Sequence, residues 1–548
     1  MRFLKGFVTA AVLLFTTVLS SNTGYAAIRL PETVRIGLYY KDTAPAGFNV
    51  GSKSGIQLGV FKNNSFLQLF EEPTDKNLTI RKDSYFVKNG SSVVEYKQSD
   101  NKIPAGEKLG PFHVSLYGSF SDIDAVSLQI QALAQKGIVA YPVYSDGWQV
   151  WTGFFESQET AQFYVTNLVE KSLGVNIAAV VKPSQTRIAV FSPAGNPVFM
   201  YDGTNGVFRI RPKSGGNPCV FALNNRSYRG ELEVRRFPQS DLTLINVLPL
   251  EQYLYGVVPS EIESDSKPEA LKAQAVAART YTLNNMGKHS DFEFDLCTTT
   301  SDQVYKGFSG EAASTNKAVD DTRGKVLMYG DAPAKVFYFA SSGGKTEDAS
   351  NVWGVSYPYL KSVEDKYESA KSWNYYWEET LTTSDIKKML KEWGTDIGDI
   401  VDVCVTERSE TGRVTKLLVK GTKNQRTYIR DGCRTVFGLN SQWYEVTTDA
   451  DVSAATKDMA VQKTRLGDRK VATSSGVKSI SSANGRVTIV DASGRKKTLP
   501  ASPTTYTLNG RGWGHGVGMS QEGAKGMANA GFKYDQILRY YFQGTRVE

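Results

Sequence analysis

Cysteine and histidine are scarce in this chain of 548 residues, which has only four cysteines and three histidines. So few thiols exclude a disulfide-dense scaffold, and so few imidazoles leave little room for a histidine-rich metal centre. Strong charge is also missing: 64 basic against 56 acidic side chains leave +8, or +6 without Arg2 and Lys5. That mild excess suits solubility or an acidic cell-surface polymer and argues against nucleic acid as a partner. Beyond the amino-terminal segment, no apolar run approaches the roughly 20 residues that span a bilayer. What is present is globular in character. Hydrophobic residues make up 41% and aromatics 11%, too much for disorder, and the length suggests roughly three or four domains.

The first residues read as an export signal over residues 1–27. Arg2 and Lys5 precede an apolar run at residues 7–19, and Gly24, Tyr25, Ala26 and Ala27 form a small-residue cleavage pattern. The body is therefore expected outside the cytoplasm, in the wall or secreted, either cleaved or held by the leader as an anchor. Cys404 and Cys433 both flank strand-like runs, so a disulfide between them is one option. Cys297 has His289 eight residues upstream, but a zinc site normally needs more donors than this pair.

The most informative stretch is residues 510–524. It holds six glycines, Gly510, Gly512, Gly514, Gly516, Gly518 and Gly523, around Trp513 and His515. Glycine at that density is tolerated where the backbone needs positive φ or must be approached closely. Far upstream, Val257-Val258-Pro259-Ser260-Glu261-Ile262 offers an acid set among apolar neighbours, and partial burial there would raise its pKa toward working pH. Glu263 and Asp265 are nearby alternatives.

Read along the chain, residues 28–109 are β-rich, beginning with an alternating strand at residues 34–40. Residues 110–185 change character. A strand at 112–120 is followed by helical spacing at 123–136, then by strands at 139–152 and another helix at 158–171. Gly118-Ser119-Phe120 is echoed by Gly153-Phe154-Phe155, so the unit reads as an internal βα duplication. Residues 186–242 are again β-rich. Pro268 opens a helix carrying Leu271, Ala275, Ala278 and Leu283. Residues 447–502 are polar and read as a surface β-insertion.

The unit at 110–185 resembles the SPOR domain, a small ferredoxin-like α/β module that binds peptidoglycan glycan strands stripped of stem peptides. That resemblance implies an exposed sheet face whose Tyr117, Trp148 and Trp151 stack on sugar rings. The set Gly256 to Ile262, Glu269 to Tyr281, Gln303-Val304-Tyr305, Ser342-Gly343-Gly344-Lys345-Thr346, Pro358-Tyr359-Leu360 and the glycine stretch resembles the stage II sporulation protein D (SpoIID/LytB) family from about Thr243 to Tyr541, which implies a domain over residues 243–548. The fold expected is therefore α+β and multidomain, with a β-rich amino-terminal region, an inserted α/β module and a mixed α+β catalytic domain.

The family resemblance implies a lytic transglycosylase acting on peptide-free glycan, or alternatively a non-catalytic enhancer of a wall amidase. Glu261 matches the family's acid. A lytic transglycosylase needs one carboxyl: it protonates the leaving glycosidic oxygen, then takes the proton of the muramic acid 6-hydroxyl as the 1,6-anhydro ring closes. A second carboxylate, needed by ordinary glycoside hydrolases, is not required. His515, Gln521, Arg279, Gln303 and Tyr305 are then candidates to bind substrate or orient the acid, and Ser342 and Thr346 to hold the strand; Arg279 could equally be a structural salt-bridge partner and Tyr305 a core aromatic. Some family members carry zinc on a histidine and two cysteines. Here Asp302 stands in the second cysteine's place beside His289 and Cys297, so no metal and no other cofactor is expected. The partners expected are glycan strands and a wall amidase.

Overall fold

The computed structural model describes residues 30–548 except 91, 174–176, 215–217, 456–460, 481–484 and 492; the leader expected at residues 1–27 lies outside them. Among the described residues, no helix is long and apolar enough to cross a membrane. The architecture is strand-rich α+β.

A seven-stranded sheet joins the two ends of the sequence reading. An interior strand, Asp241–Pro249, is buried along nearly its whole length, as expected for a strand covered on both faces. The strand Thr33–Tyr39 pairs antiparallel with it on one side and parallel with Leu296–Cys297 on the other. The boundaries expected at residues 109 and 242 therefore do not separate independent units, because the amino-terminal strand completes the sheet from which the acid segment departs. Pro249 ends that sheet strand and caps a helix, Leu250–Glu261.

The unit at 110–185 forms β-α-β-β-α-β. Its strands lie in the order Ala178–Val181, Phe112–Phe120, Trp148–Phe155, Ala140–Tyr144, that is fourth, first, third, second. It is not free-standing: Ala140–Tyr144 pairs parallel with Pro197–Tyr201, which extends the sheet to ten strands. One face packs under the helix Ile123–Gln135 through Val114, Leu116, Val126, Leu133 and Val150. The other face is occupied by the chain itself. His113, Asp83 and Arg187 are buried there, with Asp83 accepting from Arg187 (2.8 Å) and contacting His113 (3.1 Å).

This corrects the expected stacking surface. Trp148 and Trp151 are three residues apart on one strand, so they point to opposite faces. Trp148 packs on the helical side, while Trp151 is buried against His113 (ring centroids 5.6 Å) with the Arg187 guanidinium 4.9 Å from its ring. Tyr117 is the exposed one of the three, at φ +66°.

The remaining chain supplies a helical layer and smaller sheets. The helix Pro268–Asn284, begun by a proline at its first turn, is buried on nearly every side through Ala270, Ala273, Ala275, Ala277 and Ala278. Alanine's small side chain lets the helices Leu250–Glu261, Ala313–Asp321, Gln521–Asn529 and Tyr534–Tyr541 close on it. A three-stranded sheet, Tyr376–Thr382, Thr505–Arg511, Tyr444–Thr448, packs its inner face on Leu381, Tyr444, Tyr506 and Leu508. The polar stretch 447–502 forms hairpins, among them Asp451–Ala455 with Val461–Arg465 and Arg486–Val490 with Lys496–Pro500. No bridge joins Cys404 to Cys433: the Cys433 thiol is buried and donates to the Tyr428 carbonyl, and Cys404 contacts Asp402.

Candidate active site

Glu261 is the last residue of the helix Leu250–Glu261. The helix opened by Pro268 follows it, as the sequence indicates, but Glu261 also terminates a helix of its own, because the segment remains helical through Pro259 despite the ladder bond that proline removes. The difference matters electrostatically, since the carboxyl-terminal end of a helix disfavours negative charge. The side chain is half-buried, and burial pushes its pKa up to about 7; the Val304 N–H, the Gln521 side chain and the charge of Lys306 pull in the other direction. A carboxyl in that range is protonated often enough at neutral pH to donate a proton and deprotonated often enough to accept one. The alternatives lack this setting: Glu263 is exposed and ion-paired with Lys525, and Asp265 is exposed.

The Gln303-Val304-Tyr305 segment holds the acid from one side. The Val304 N–H donates to Glu261 Oε1 at 3.0 Å. Gln303 is fully buried and fixes that segment with both ends of its amide. Its oxygen accepts from Thr282 (2.9 Å) and Tyr253 (3.3 Å), and its nitrogen donates to the Tyr338 hydroxyl (2.9 Å) and the Ala278 carbonyl (3.2 Å). It is therefore a positioning residue rather than a substrate ligand. Gln521 holds the acid from the other side. It opens the helix Gln521–Asn529, capped by Ser520, and donates to Glu261 and to Gln274 (3.4 Å).

The glycine-rich loop meets the Ser-Gly-Gly turn backbone to backbone. Ser341 and Trp513 exchange two hydrogen bonds, 3.1 and 2.8 Å. Gly343 and Gly512 take φ +70° and +78°, and a Cβ on Gly343 would stand 2.9 Å from the Gly512 nitrogen. At these two positions, contact between two pieces of this chain requires glycine. His515 packs among Phe337, Phe339 and Trp353 (centroids 6.3, 5.3 and 5.0 Å). Burial drives its pKa down to about 4, so the ring is neutral. Nδ1 accepts from the Val517 N–H (3.1 Å), and the ring also bonds the Tyr338 backbone. His515 thus bears on the acid only indirectly: it bonds the strand Tyr338–Phe339, which pairs with Met519–Ser520, the residues just before Gln521.

Four expected ligands are placed elsewhere. Arg279 is fully buried, and its guanidinium forks onto Glu251 (3.0 and 2.6 Å) with further bonds to the Lys325 and Val319 carbonyls. Tyr305 lies in the core, its hydroxyl donating to Asn246 (2.9 Å). Ser342 is buried: its hydroxyl and N–H, with the Ser341 hydroxyl and the Gly343 N–H, hold the Glu368 carboxylate. Thr346 is buried and accepts from the Val363 N–H (2.8 Å). The sequence reading missed the Val304 N–H, Tyr338 and Lys306. The first is a main-chain group inside a quoted motif, and Tyr338 sits in a plain apolar run that gives no signal.

His289, Cys297 and Asp302 present donor atoms within 4.8 Å of one another. Zinc with three protein ligands is chemically possible for such a set. Asp302, however, already accepts from His289 Nε2 (2.7 Å) and the Cys297 N–H (2.7 Å), and the Lys288 ammonium is ion-paired with it. A lysine charge on a ligating carboxylate opposes a divalent cation, so the cluster fits a self-satisfied hydrogen-bonded corner better than a metal centre.

Known proteins resemble this chain over the region that carries the acid. A family model described as stage II sporulation protein matches residues 238–329, which include the acid helix and Gln303-Val304-Tyr305. Stage II sporulation protein D of Bacillus subtilis (strain 168) is 30% identical over 318 residues, covering 55% of this chain and 74% of that protein. The chain belongs to the stage II sporulation protein D family. The protein of the same name from Bacillus amyloliquefaciens is 28% identical over 316 residues, 55% of this chain and 74% of its own length. An amidase enhancer of Bacillus subtilis (strain 168) is 31% identical over 307 residues, but the match spans only 40% of that protein and 53% of this chain. Within this family member, residues 359–464 also match a domain of unknown function; that segment includes the strands Tyr376–Thr382 and Tyr444–Thr448.

Proposed function

We propose that this protein is an exported peptidoglycan-remodelling enzyme, a lytic transglycosylase that cleaves peptide-free glycan strands with Glu261 as its single acid and base. The observation that carries the reading is the setting of Glu261: half-buried, at a helix carboxyl end, bonded by one backbone N–H and one amide, with a pKa near 7. In the first step the protonated carboxyl gives its proton to the glycosidic oxygen as the bond to muramic acid C1 breaks. In the second, the carboxylate takes the proton of the 6-hydroxyl as its oxygen closes on C1. The carboxyl ends as it began, and no water is consumed. Val304 and Gln521 supply the donors that stabilise the ionised interval, and Gln303, Tyr338 and His515 fix the backbone that carries them.

Incubating the pure protein with peptide-free glycan and weighing the released products by mass spectrometry tests this reading. Anhydro-muramic ends are expected. The similarity to an amidase enhancer favours a second reading, in which the protein releases nothing alone and accelerates a wall amidase added to it. The leader read at residues 1–27 supports action outside the cytoplasmic membrane under either reading.

A further inference from the structure

The outer face of the sheet Tyr376–Thr382, Thr505–Arg511, Tyr444–Thr448 carries a groove of about 560 Å³, within the range of ligand sites. Register sets its contents. Tyr376 stands opposite Arg511, and Asn509 lies between Glu378 and Glu445. Alternate residues of the same strands, Leu381, Leu508 and Tyr444, face the core, so this row faces out. Tyr376 is 64% exposed. Arg511 lies flat on Trp443, its guanidinium carbon 3.7 Å from the ring centroid, which holds the fork in one orientation. Just past the end of the strand pair, Trp373 (71% exposed) and Trp513 pair their rings at 5.2 Å. Trp513 belongs to the glycine-rich loop that leads to Gln521 and the acid.

Large aromatic rings are normally hidden, and here several are exposed and grouped with a stacked arginine, an amide and carboxylates. Rings offer faces to the C–H side of a pyranose, while polar groups at their edge reach acetamido and hydroxyl groups. A guanidinium fork matches a carboxylate, and peptide-free glycan keeps one on each muramic acid lactyl group. We infer that this groove is an accessory glycan subsite that seats N-acetylated sugar rings on Tyr376 and Trp373 and a lactyl carboxylate on Arg511. The inference rests on the glycan reading of the function and deepens it.

The test is equilibrium binding with the full chain carrying Glu261→Gln, so that ligand is not consumed. Two probes are used: peptide-free glycan strands and chitooligosaccharide, which lacks the lactyl carboxylate. Tyr376→Ala and Trp373→Ala, both at exposed positions, are expected to weaken both probes about tenfold. Arg511→Gln is expected to weaken glycan strands by about tenfold or more while leaving chitooligosaccharide unchanged, as for loss of one charge-assisted pair. Unchanged binding in both aromatic variants, an equal loss of both probes in Arg511→Gln, or no binding of either probe by the parent would overturn the subsite. Turnover by the Glu261-intact protein separates the two ideas. Groove-dependent binding without product release leaves the subsite standing and removes the transglycosylase, and product release with groove-independent binding does the reverse.

Discussion

The Val304 backbone N–H donates to Glu261 Oε1 at 3.0 Å, so the acid at the end of one helix is fixed by a main-chain group of the loop that Gln303 anchors. This bond favours the ionised carboxyl, while burial and the helix end oppose it. Burial dominates, and the pKa settles near 7.

That balance has a stability consequence. A carboxyl whose folded pKa lies above its unfolded value contributes stability that is complete below about pH 4.5 and is lost as pH rises to about 7. A glutamine keeps the shape and cannot ionise. Glu261→Gln should therefore match the parent in urea unfolding near pH 4 and exceed it near pH 8 by up to about 3 kcal/mol, the size of the shift at about 1.4 kcal/mol per pH unit. A constant difference across pH would contradict the burial of this carboxyl.

Arg279 was a candidate ligand on sequence grounds and is an internal fastener in the fold. Removing one partner of a buried pair leaves the other uncompensated, at about 3–5 kcal/mol. Arg279→Ala should lower the thermal midpoint substantially, and Glu251→Gln should do so as well. Glycan affinity of the folded fraction, measured below the midpoint, should stay at the parent value.

In the βαββαβ unit, Trp151→Ala should cost about 3–5 kcal/mol as a core truncation, whereas Tyr117→Ala at the exposed bulge should change stability by no more than about 0.5 kcal/mol. If Trp151→Ala were neutral in stability and harmful only to wall binding, the packed face described above would be wrong.

Much of the fold and part of the site were legible in the sequence. The duplicated strand–helix pattern of residues 110–185 and the helix opened by Pro268 follow local rules of period and capping, whereas the ordered motifs were legible only through their resemblance to a known family. The acid helix was not legible because Pro259 reads as a breaker inside it. For Arg279 the sequence left a ligand and a structural salt-bridge partner equally open, because its partner Glu251 is on the neighbouring helix and contacts between helices leave no local trace. The tryptophans were misjudged for a different reason. Strand alternation already separates Trp148 from Trp151, but the covering of one face by Asp83 and Arg187 joins segments about a hundred residues apart.

The His289, Cys297 and Asp302 corner gives a prediction about metal. With Lys288 ion-paired to Asp302, metal analysis of protein purified without chelator should find well under one zinc per chain, and a chelator should leave the unfolding midpoint unchanged. One tightly held zinc per chain would contradict this.

The most direct measurement is mass spectrometry of the products released from peptide-free glycan in water enriched in oxygen-18, comparing the parent with Glu261→Gln. The account predicts anhydro ends free of the heavy isotope from the parent and no release from the variant, although the variant folds and binds. Labelled reducing ends, or release that persists in Glu261→Gln, would contradict a single carboxyl moving one proton between two sugar oxygens.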